Sequence, residues 1–329
     1  MSRSTPPHPP LGDPLRPICD ALAAGAASLA IPDGATMLLA ISGGPDSTAL
    51  LHGALRLAPG RGWQLAVAHL DHGLRAGSAD EAAAVAAAAA RLGLPVEVRR
   101  TDVASLAASE HRSLEDAGRQ ARYRFLEEVA DRLGTGALIA TAHTADDAAE
   151  TMLLRLARGS GLRGVRGIPA RRGRIVRPLL AARRGMLRAA LDAAGIDYVI
   201  DPSNSDPGHA RNRVRAELVP ALERASPGAV EALLRFGRLA ADDDDLLDSL
   251  AAAELAARTA ADGRSIDWHA PPARALGRRV LRLALGDPPP SAERIEALLD
   301  AAEGPRGGVS IELGGGRRAS VRERRIGLE

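Results

Sequence analysis

The chain has 329 residues, enough for two domains, and its net charge at pH 7 is only +2. All 43 basic residues are arginine, so a Walker A loop, which needs a lysine, is excluded. The single cysteine, Cys19, excludes internal disulfides and thiolate metal clusters and favours a reducing cytoplasm. No apolar run is long enough for a membrane span, so we expect no membrane association.

The N-terminal region predicts a tail followed by a helix. Residues 1–15 contain five prolines and little apolar content, which is typical of a disordered tail. The apolar run 21–31 is compatible with a signal peptide, but Asp13 and Asp20 stand where a basic segment belongs. A helix starting near Arg16 is therefore favoured.

Strand and helix patterns then alternate along the chain. Apolar runs predict strands, and helical patterns separate them: strands at 37–41, 65–70, 96–99 and 137–141, helices at 46–57, 79–92, 114–133 and 145–158. This alternation is typical of an α/β fold with a doubly wound parallel sheet. The later part of the chain reads as helices that end in a β-hairpin over 308–322. We expect a catalytic domain at 16–215 and a second, mainly helical domain at 216–329.

A glycine-rich loop follows the first predicted strand and opens a helix. It comprises Ser42, Gly43, Gly44, Pro45, Asp46 and Ser47. Backbone N–H groups and the helix dipole bind phosphate at such a junction. A Gly-Gly turn alone is often structural, but an aspartate inside this loop points to Mg²⁺ held against phosphates by Asp46.

Polar residues also follow the second strand. Asp71 and His72 lie at its carboxyl end, where open α/β sheets bind ligands, although an Asp-His-Gly sequence is often only a turn. In the predicted helix 114–133, Arg119, Arg122 and Tyr123 share one face, either as a solvated surface or as a phosphate contact.

Three acidic residues open the helix after the fourth strand. Asp147 and Glu150 are three residues apart, so they lie on one helical face with Asp146 beside them, and His143 precedes them. Such acids can simply complement the helix dipole, or they can form a site.

Arginine is concentrated in the segment 163–188, which holds nine arginines and no acidic residue. This pattern is typical of a surface that binds a polyanion, with an ordinary solvated face as the alternative. A further basic segment, 211–215, lies near the expected domain junction.

Together these motifs resemble one family. The loop resembles the SGGxDS signature of the N-type ATP pyrophosphatases. With the Asp71-His72-Gly73-Leu74-Arg75 segment and the matches to AR..RY.FL, AHxxDDxxET…RGSGLxG and DPSN…RNRxR, the chain from 37 to 222 resembles the tRNA(Ile)-lysidine synthetase family. The chain's end is similar to the short form of that family, without the additional C-terminal β domain of longer members.

The resemblance implies an adenine nucleotide alpha hydrolase-like fold, ATP and Mg²⁺ as cofactors, and a helical domain that binds tRNA. ATP would adenylate the wobble cytidine of tRNA(Ile) with a CAU anticodon, and free L-lysine would displace AMP, giving lysidine and changing decoding from AUG to AUA. It implies that Asp71 and His72 lie beside the adenosine and target base and that Arg122 reaches toward phosphate or the transferred nucleotide. His143 would lie at the adenylate, while Asp147 and Glu150 would hold lysine.

Three other functions share some of these sequence features. A tRNA thiolase needs thiolates that one cysteine cannot supply. An amide-forming synthetase shares the loop but not the longer acidic motif, and a nucleotide-binding module explains the sheet but not the acids. The oligomeric state stays open, with a homodimer as one option.

Overall fold

The structure is a computed structural model that describes residues 12–74, 77–200, 206, 208–261, 263–304 and 308–328. The motif 201–204 and most of the predicted tail lie outside these residues. Of the residues before Arg16 that are described, Leu15 is buried in the core and its N–H donates to Asp13. The chain forms two compact units, residues 1–237 and 238–329. The expected domain boundary at residue 215 falls earlier in the chain and stays a prediction.

The first unit contains one six-stranded sheet. Its strands are Thr36–Ala40 (β1), Gln64–Asp71 (β2), Val96–Arg100 (β3), Leu138–Thr141 (β4), Arg171–Arg172 (β5) and Ile175–Val176 (β6). The strand order is β3-β2-β1-β4-β6-β5, and only β5 runs antiparallel to its neighbour. The predicted doubly wound parallel sheet is therefore confirmed.

Helices cover both faces of this sheet. The helices along this part of the chain are Arg16–Ser28 (α1), Pro45–Arg61 (α2), Ser78–Arg91 (α3), Val103–Ser109 (α4), Leu114–Leu133 (α5), Ala145–Ala157 (α6), Leu162–Val165 (α7), Arg184–Ala193 (α8), Ala210–Arg213 (α9), Val219–Ala225 (α10) and Ala229–Arg258 (α11), which continues into the second unit, with a π-helical turn at Val214–Leu218. Alternate residues of β1 face opposite cores: Met37 packs in the cluster that includes α1, α2 and α8, and Leu38 packs in the cluster that includes α5. None of the described helices is long and apolar enough to cross a membrane.

The second unit combines helices with a small antiparallel sheet. Its elements after α11 are Ser265–Asp267 (β7), Arg274–Leu285 (α12), Ala292–Glu303 (α13), Val309–Gly314 (β8), Arg317–Arg322 (β9) and Arg325–Leu328 (β10). The predicted hairpin is present as β8 and β9, and β10 and β7 extend it in the order β7-β10-β9-β8. Trp268, Leu281 and Leu298 are fully buried between the sheet and the helices.

The topology determines where the predicted site residues meet. β1 lies between β2 and β4, and all three strands are parallel. Their carboxyl ends therefore share one edge of the sheet, and β1–β4 is the point where the strand order reverses, which is where open α/β sheets bind ligands.

Candidate active site

The loop between β1 and α2 is built to receive an anion. Gly43 has φ +87°, a left-handed conformation that a side chain would strain. The hydroxyls of Ser42 and Ser47 lie 3.1 Å apart, and Ser47 Oγ donates to the Gly44 carbonyl at 2.9 Å, which fixes the loop. Gly44 is the N-cap of α2 and Pro45 follows it. The first N–H groups of α2 have no acceptor within the helix, so they are available to a phosphate.

Asp46 lies in the first turn of α2 with one oxygen engaged and one free. Its Oδ2 accepts from Arg184 Nε at 3.0 Å, whereas its buried Oδ1 has no hydrogen-bond partner within the described part of the chain. Burial raises the pKa of Asp46 above its ordinary value, although the charge of Arg184 opposes this. A buried carboxylate oxygen without a partner fits a hard cation such as Mg²⁺. The described residues contain no cluster of three or more His, Cys, Asp or Glu side chains that could hold a metal ion.

The end of β2 places Asp71 and His72 differently. Asp71 Oδ1 accepts from the Gly73 N–H at 2.8 Å; burial alone would raise its pKa, but this bond and nearby charges keep the pKa low. Asp71 therefore stabilises the turn. His72 Nδ1 is buried and has no partner among the described residues. Burial and the charge of Arg122 lower the pKa of His72, which favours the neutral imidazole.

Two acidic residues in the first turn of α6 have different hydrogen-bond partners: Asp147 caps the helix, and Asp146 binds the backbone of Arg184. Thr144 is the N-cap, and Asp147 Oδ2 accepts from its N–H and hydroxyl, each at 2.9 Å, completing a capping box. Asp146 Oδ2 accepts from the Arg184 N–H at 2.8 Å. Asp147 therefore caps its own helix, a role that the sequence did not predict, and this role uses only one of its two oxygens.

His143 is held just before α6. Its Nδ1 lies 2.9 Å from Thr141 Oγ1. Burial lowers the pKa of His143 to about 3, and the charges of Arg177 and Arg122 contribute to this, while Asp147 opposes it. His143 is thus neutral throughout the physiological pH range.

Glu150 is surrounded by three arginines that its own motif does not contain. Its side chain is only 1% exposed. Arg184 donates to Oε1 at 3.0 Å, Arg211 donates to Oε2 at 2.9 Å, and Arg215 donates to both oxygens at 2.7 and 3.1 Å. The carboxylate therefore accepts four hydrogen bonds, which fills its acceptor positions.

Arg184 joins the phosphate loop to α6. Its guanidinium donates to Asp46 Oδ2 at 3.0 Å, to Asp147 Oδ1 at 2.7 Å and to Glu150 Oε1 at 3.0 Å. The sequence predicted the three carboxylates as site residues, and the structure brings them together around this one side chain. We call these three carboxylates, with Arg184, Arg211 and Arg215, the acid–arginine network.

The network is balanced in charge: three carboxylates face three guanidinium groups. Burial would raise the pKa of Asp147, but the charges of Arg184 and Arg211 outweigh it and the pKa lies below its ordinary value. For Glu150, burial is likewise outweighed, chiefly by the hydrogen bond from Arg215. Both carboxyl groups are therefore ionised at neutral pH.

Sequence reasoning missed these three arginines as site residues. Arg211 and Arg215 belong to the basic segment 211–215, for which the sequence predicts only a place near the domain junction. They come together across the end of α9 and a π-helical turn, a local feature common at functional sites. Arg184 was counted only as one member of the basic segment.

Arg122 lies outside the network. Its guanidinium carbon is 5.5 Å from the centre of the Tyr123 ring, and no carboxylate within the described ranges forms an ion pair with it. Burial lowers its pKa, and the charge of Arg119 lowers it further. An arginine held in this way is available to an anion.

The basic segment 163–188 does not form one free surface. Arg183 pairs with Glu223 and Glu231, and Arg174 pairs with Glu127 at 2.8 Å and Asp131 at 2.5 Å. Arg163, Arg171 and Arg172 are exposed, and they form no ion pair with a carboxylate of the described residues. The linear charge pattern therefore overstates the cationic surface.

Comparison with known proteins places this geometry in a family. The PP-loop domain family, ATP_bind_3, matches residues 23–222. A curated tRNA(Ile)-lysidine synthase from Salinispora tropica is 44% identical over 91% of this chain and 92% of its own length. One from Thermobifida fusca is 40% identical over 88% and 90%.

A solved structure of the U34-tRNA thiolase NcsA from Methanococcus maripaludis, with its [4Fe-4S] cluster, is also similar in fold. Its TM-score is 0.58 at 13% identity, over 69% of this chain and 80% of that one, so the likeness concerns the fold alone. The loop, the acidic helix and the matches over nine-tenths of the sequence agree, and the chain belongs to the tRNA(Ile)-lysidine synthase family of PP-loop enzymes.

Proposed function

We propose that this enzyme uses ATP to join L-lysine to C2 of the wobble cytidine of tRNA(Ile) with a CAU anticodon, through an adenylated tRNA intermediate. The observation that carries the proposal is the link from the phosphate loop to the acidic helix, in which Arg184 contacts both Asp46 and Glu150. ATP and a second, cationic substrate would thus be handled within one hydrogen-bonded unit. The names of the similar enzymes support the RNA and the product.

The first step activates a poor electrophile. The C2 carbonyl of cytidine resists attack, and adenylation of O2 converts that oxygen into part of a leaving group. The N-terminus of α2 and the Gly43 turn would bind the pyrophosphate end of ATP. Mg²⁺ held by Asp46 would neutralise phosphate charge there. Arg122, which has no ion-pair partner among the described residues, would bind phosphate or the transferred nucleotide.

The second step needs a neutral amine. Deprotonating a lysine ammonium of ordinary pKa at pH 7 costs about 4 to 5 kcal/mol. Transfer of that proton to His143, with a pKa of about 3, would cost roughly 10 kcal/mol. We therefore assign His143 a positioning role at the adenylate and not that of general base.

Asp147 and Glu150 remain our candidates for holding the lysine substrate, but lysine would have to compete with the arginines that already bind Glu150. Both oxygens of Glu150 already accept two hydrogen bonds each. A lysine ammonium can bind only if it replaces a guanidinium, and Arg184 is the partner that also contacts Asp46. ATP binding at Asp46 would thus be coupled to lysine binding at Glu150.

The test uses wild-type enzyme with tRNA(Ile) transcripts. Pyrophosphate release and incorporation of labelled lysine are measured with the natural wobble cytidine and with uridine at that position. We expect both signals only with cytidine and ATP. Equal pyrophosphate release with cytidine and with uridine at the wobble position, or the absence of labelled lysine in the RNA, would refute the proposal.

Two further assignments are proposals of the same kind. We place the enzyme in the cytoplasm, where tRNA, ATP and lysine meet, and keep a homodimer as one possible assembly. Sulfur transfer is disfavoured as a second function, because the sequence has one cysteine and it is buried.

A further inference from the structure

A second group of arginines lies apart from the acid–arginine network, around the ring of Tyr123. The guanidinium carbons of Arg119, Arg122 and Arg172 lie 5.0, 5.5 and 5.1 Å from the ring centre. Arg119 and Arg122 belong to α5, and Arg172 belongs to β5, 49 positions after Tyr123 in the sequence. We call these four residues the Tyr123 cluster.

The cluster lacks the acidic partners that other arginines of this protein have. Within the described ranges, Arg119, Arg122 and Arg172 form no ion pair with a carboxylate, whereas Arg174, two residues beyond Arg172, pairs with two. Like charges repel, so gathering three guanidinium groups on one ring without acids disfavours the empty cluster and favours an anion. The Tyr123 ring partly offsets this repulsion through its π face.

An open cavity of about 400 Å³ adjoins these side chains. Arg119, Gln120, Tyr123 and Arg172 line it, so its wall presents guanidinium and amide donors. The one carboxylate in the lining, Asp116, already accepts from Arg112 at 2.7 Å.

The cluster extends inward toward the candidate active site. Tyr123 Oη accepts from Arg177 at 3.4 Å, and Arg177 is 2% exposed, with its Nε lacking a partner in the described part of the chain. The charges of Arg177 and Arg122 act on His143. The hydrogen bond from Arg177 to Tyr123 Oη therefore links the cluster to an arginine whose charge acts on His143.

We propose that the Tyr123 cluster binds a backbone phosphodiester of the RNA substrate next to the nucleotide being modified. Arg119 and Arg172, which line the cavity, provide the contacts to this phosphodiester. This inference rests on the proposed function in that the RNA is the substrate named there. A phosphate of ATP is the other source of the same chemistry, and the experiment distinguishes the two.

The test compares salt dependence of tRNA binding in the full-length protein. Arg119→Gln and Arg172→Gln change exposed side chains, and Arg174→Gln serves as the matched control, because its charge is already paired. We expect each test variant to reduce the slope of log K against log salt by about one, and the double variant by about two. Arg172→Lys should retain the wild-type slope, and Arg174→Gln should leave it unchanged.

Unchanged slopes in Arg119→Gln and Arg172→Gln would overturn the inference. A loss of ATP affinity with an unchanged RNA slope would also overturn it, because the anion would then be a nucleotide phosphate. The two proposals are tested by different measurements. If wild-type enzyme binds tRNA but adds no lysine, the proposed function is wrong, and the comparison of salt slopes still decides whether the Tyr123 cluster binds the RNA.

Discussion

Replacing Glu150 by glutamine would test whether the acid–arginine network stabilises the first unit. The substitution keeps the shape of the side chain but removes its charge. It also replaces one acceptor oxygen by an amide donor that faces guanidinium groups. Glu150 is 1% exposed and accepts four hydrogen bonds, and the side chains of its three arginine partners are only 21 to 38% exposed, so water replaces these bonds incompletely.

The expected loss can be bounded from the burial of the network. Removing one partner of a buried ion pair costs about 3 to 5 kcal/mol, because the other charge stays buried. Asp131, which is 64% exposed and pairs with Arg174, provides the comparison. An exposed pair of that kind contributes at most about 1 kcal/mol. We therefore expect Glu150→Gln to destabilise the first unit by about 3 kcal/mol and Asp131→Asn by less than 1 kcal/mol.

Tryptophan fluorescence allows the first unit to be followed alone. The chain has two tryptophans, Trp63 in the first unit and Trp268 in the second. In a Trp268→Phe background, urea unfolding reports on Trp63, which is 6% exposed. If Glu150→Gln and Asp131→Asn shift the midpoint equally, the network does not stabilise the unit and the reasoning is wrong.

Kinetics of the same Glu150→Gln variant separate two roles of the acid. If Glu150 holds lysine, pyrophosphate release in a single turnover survives while the KM for lysine rises more than tenfold, as expected for a lost, partly desolvated charge pair. If Glu150 mainly fixes Arg184 at Asp46, both steps fall together. Normal lysine kinetics with lower stability alone would leave Glu150 a structural residue.

Two further predictions concern single groups. Asp46→Asn should lower tRNA-dependent pyrophosphate release at least a hundredfold without unfolding the protein. Asp33→Asn, which changes an exposed partner of Arg61, is the control and should leave pyrophosphate release unchanged. A loss below tenfold in Asp46→Asn would contradict the metal-holding role. His143→Gln should reduce the pH dependence of stability. Because the folded pKa of about 3 lies below the unfolded value of about 6.5, the stability due to neutral His143 is present above pH 6.5 and is lost as the pH falls toward 3. Between pH 7 and pH 5, wild type should lose about 2 kcal/mol more than the variant, and equal losses in urea unfolding would contradict the assignment.

The sequence was sufficient to predict the sheet and its functional edge. Strands with continuous apolar runs alternate with helices, and this pattern depends on local spacing, so β1 to β4 lie within one or two residues of their predicted bounds. Because consecutive parallel strands place their following loops at one edge, the clustering of Asp46, His143 and Glu150 could also be anticipated.

Local spacing could not supply the partners of those residues. Arg184 and Arg211 reach Glu150 across 34 and 61 positions of the chain, and no periodicity encodes such a separation. The two-residue strands β5 and β6 are likewise too short to give a pattern, so the approach of Arg172 to Tyr123 was not predictable. Helical spacing did predict that Arg119 and Arg122 share a face with Tyr123.

Whether an arginine can bind RNA depends on the side chains that the fold places beside it, and not on the number of basic residues in the sequence. Arg172 and Arg174 stand in one basic segment with identical side chains, yet only Arg174 meets acids, on the α5 residues Glu127 and Asp131. Pairing with these acids reduces the favourable interaction that Arg174 can offer to a phosphate, because the carboxylates compete for the same donors and repel the incoming anion. A balanced net charge of +2 is therefore compatible with a strongly cationic local site, provided that the acids are assigned to other arginines. The Tyr123 cluster meets that condition. The sequence alone gives Arg172 and Arg174 the same charge, so a difference in the salt dependence of tRNA binding between Arg172→Gln and Arg174→Gln would measure the effect of the fold.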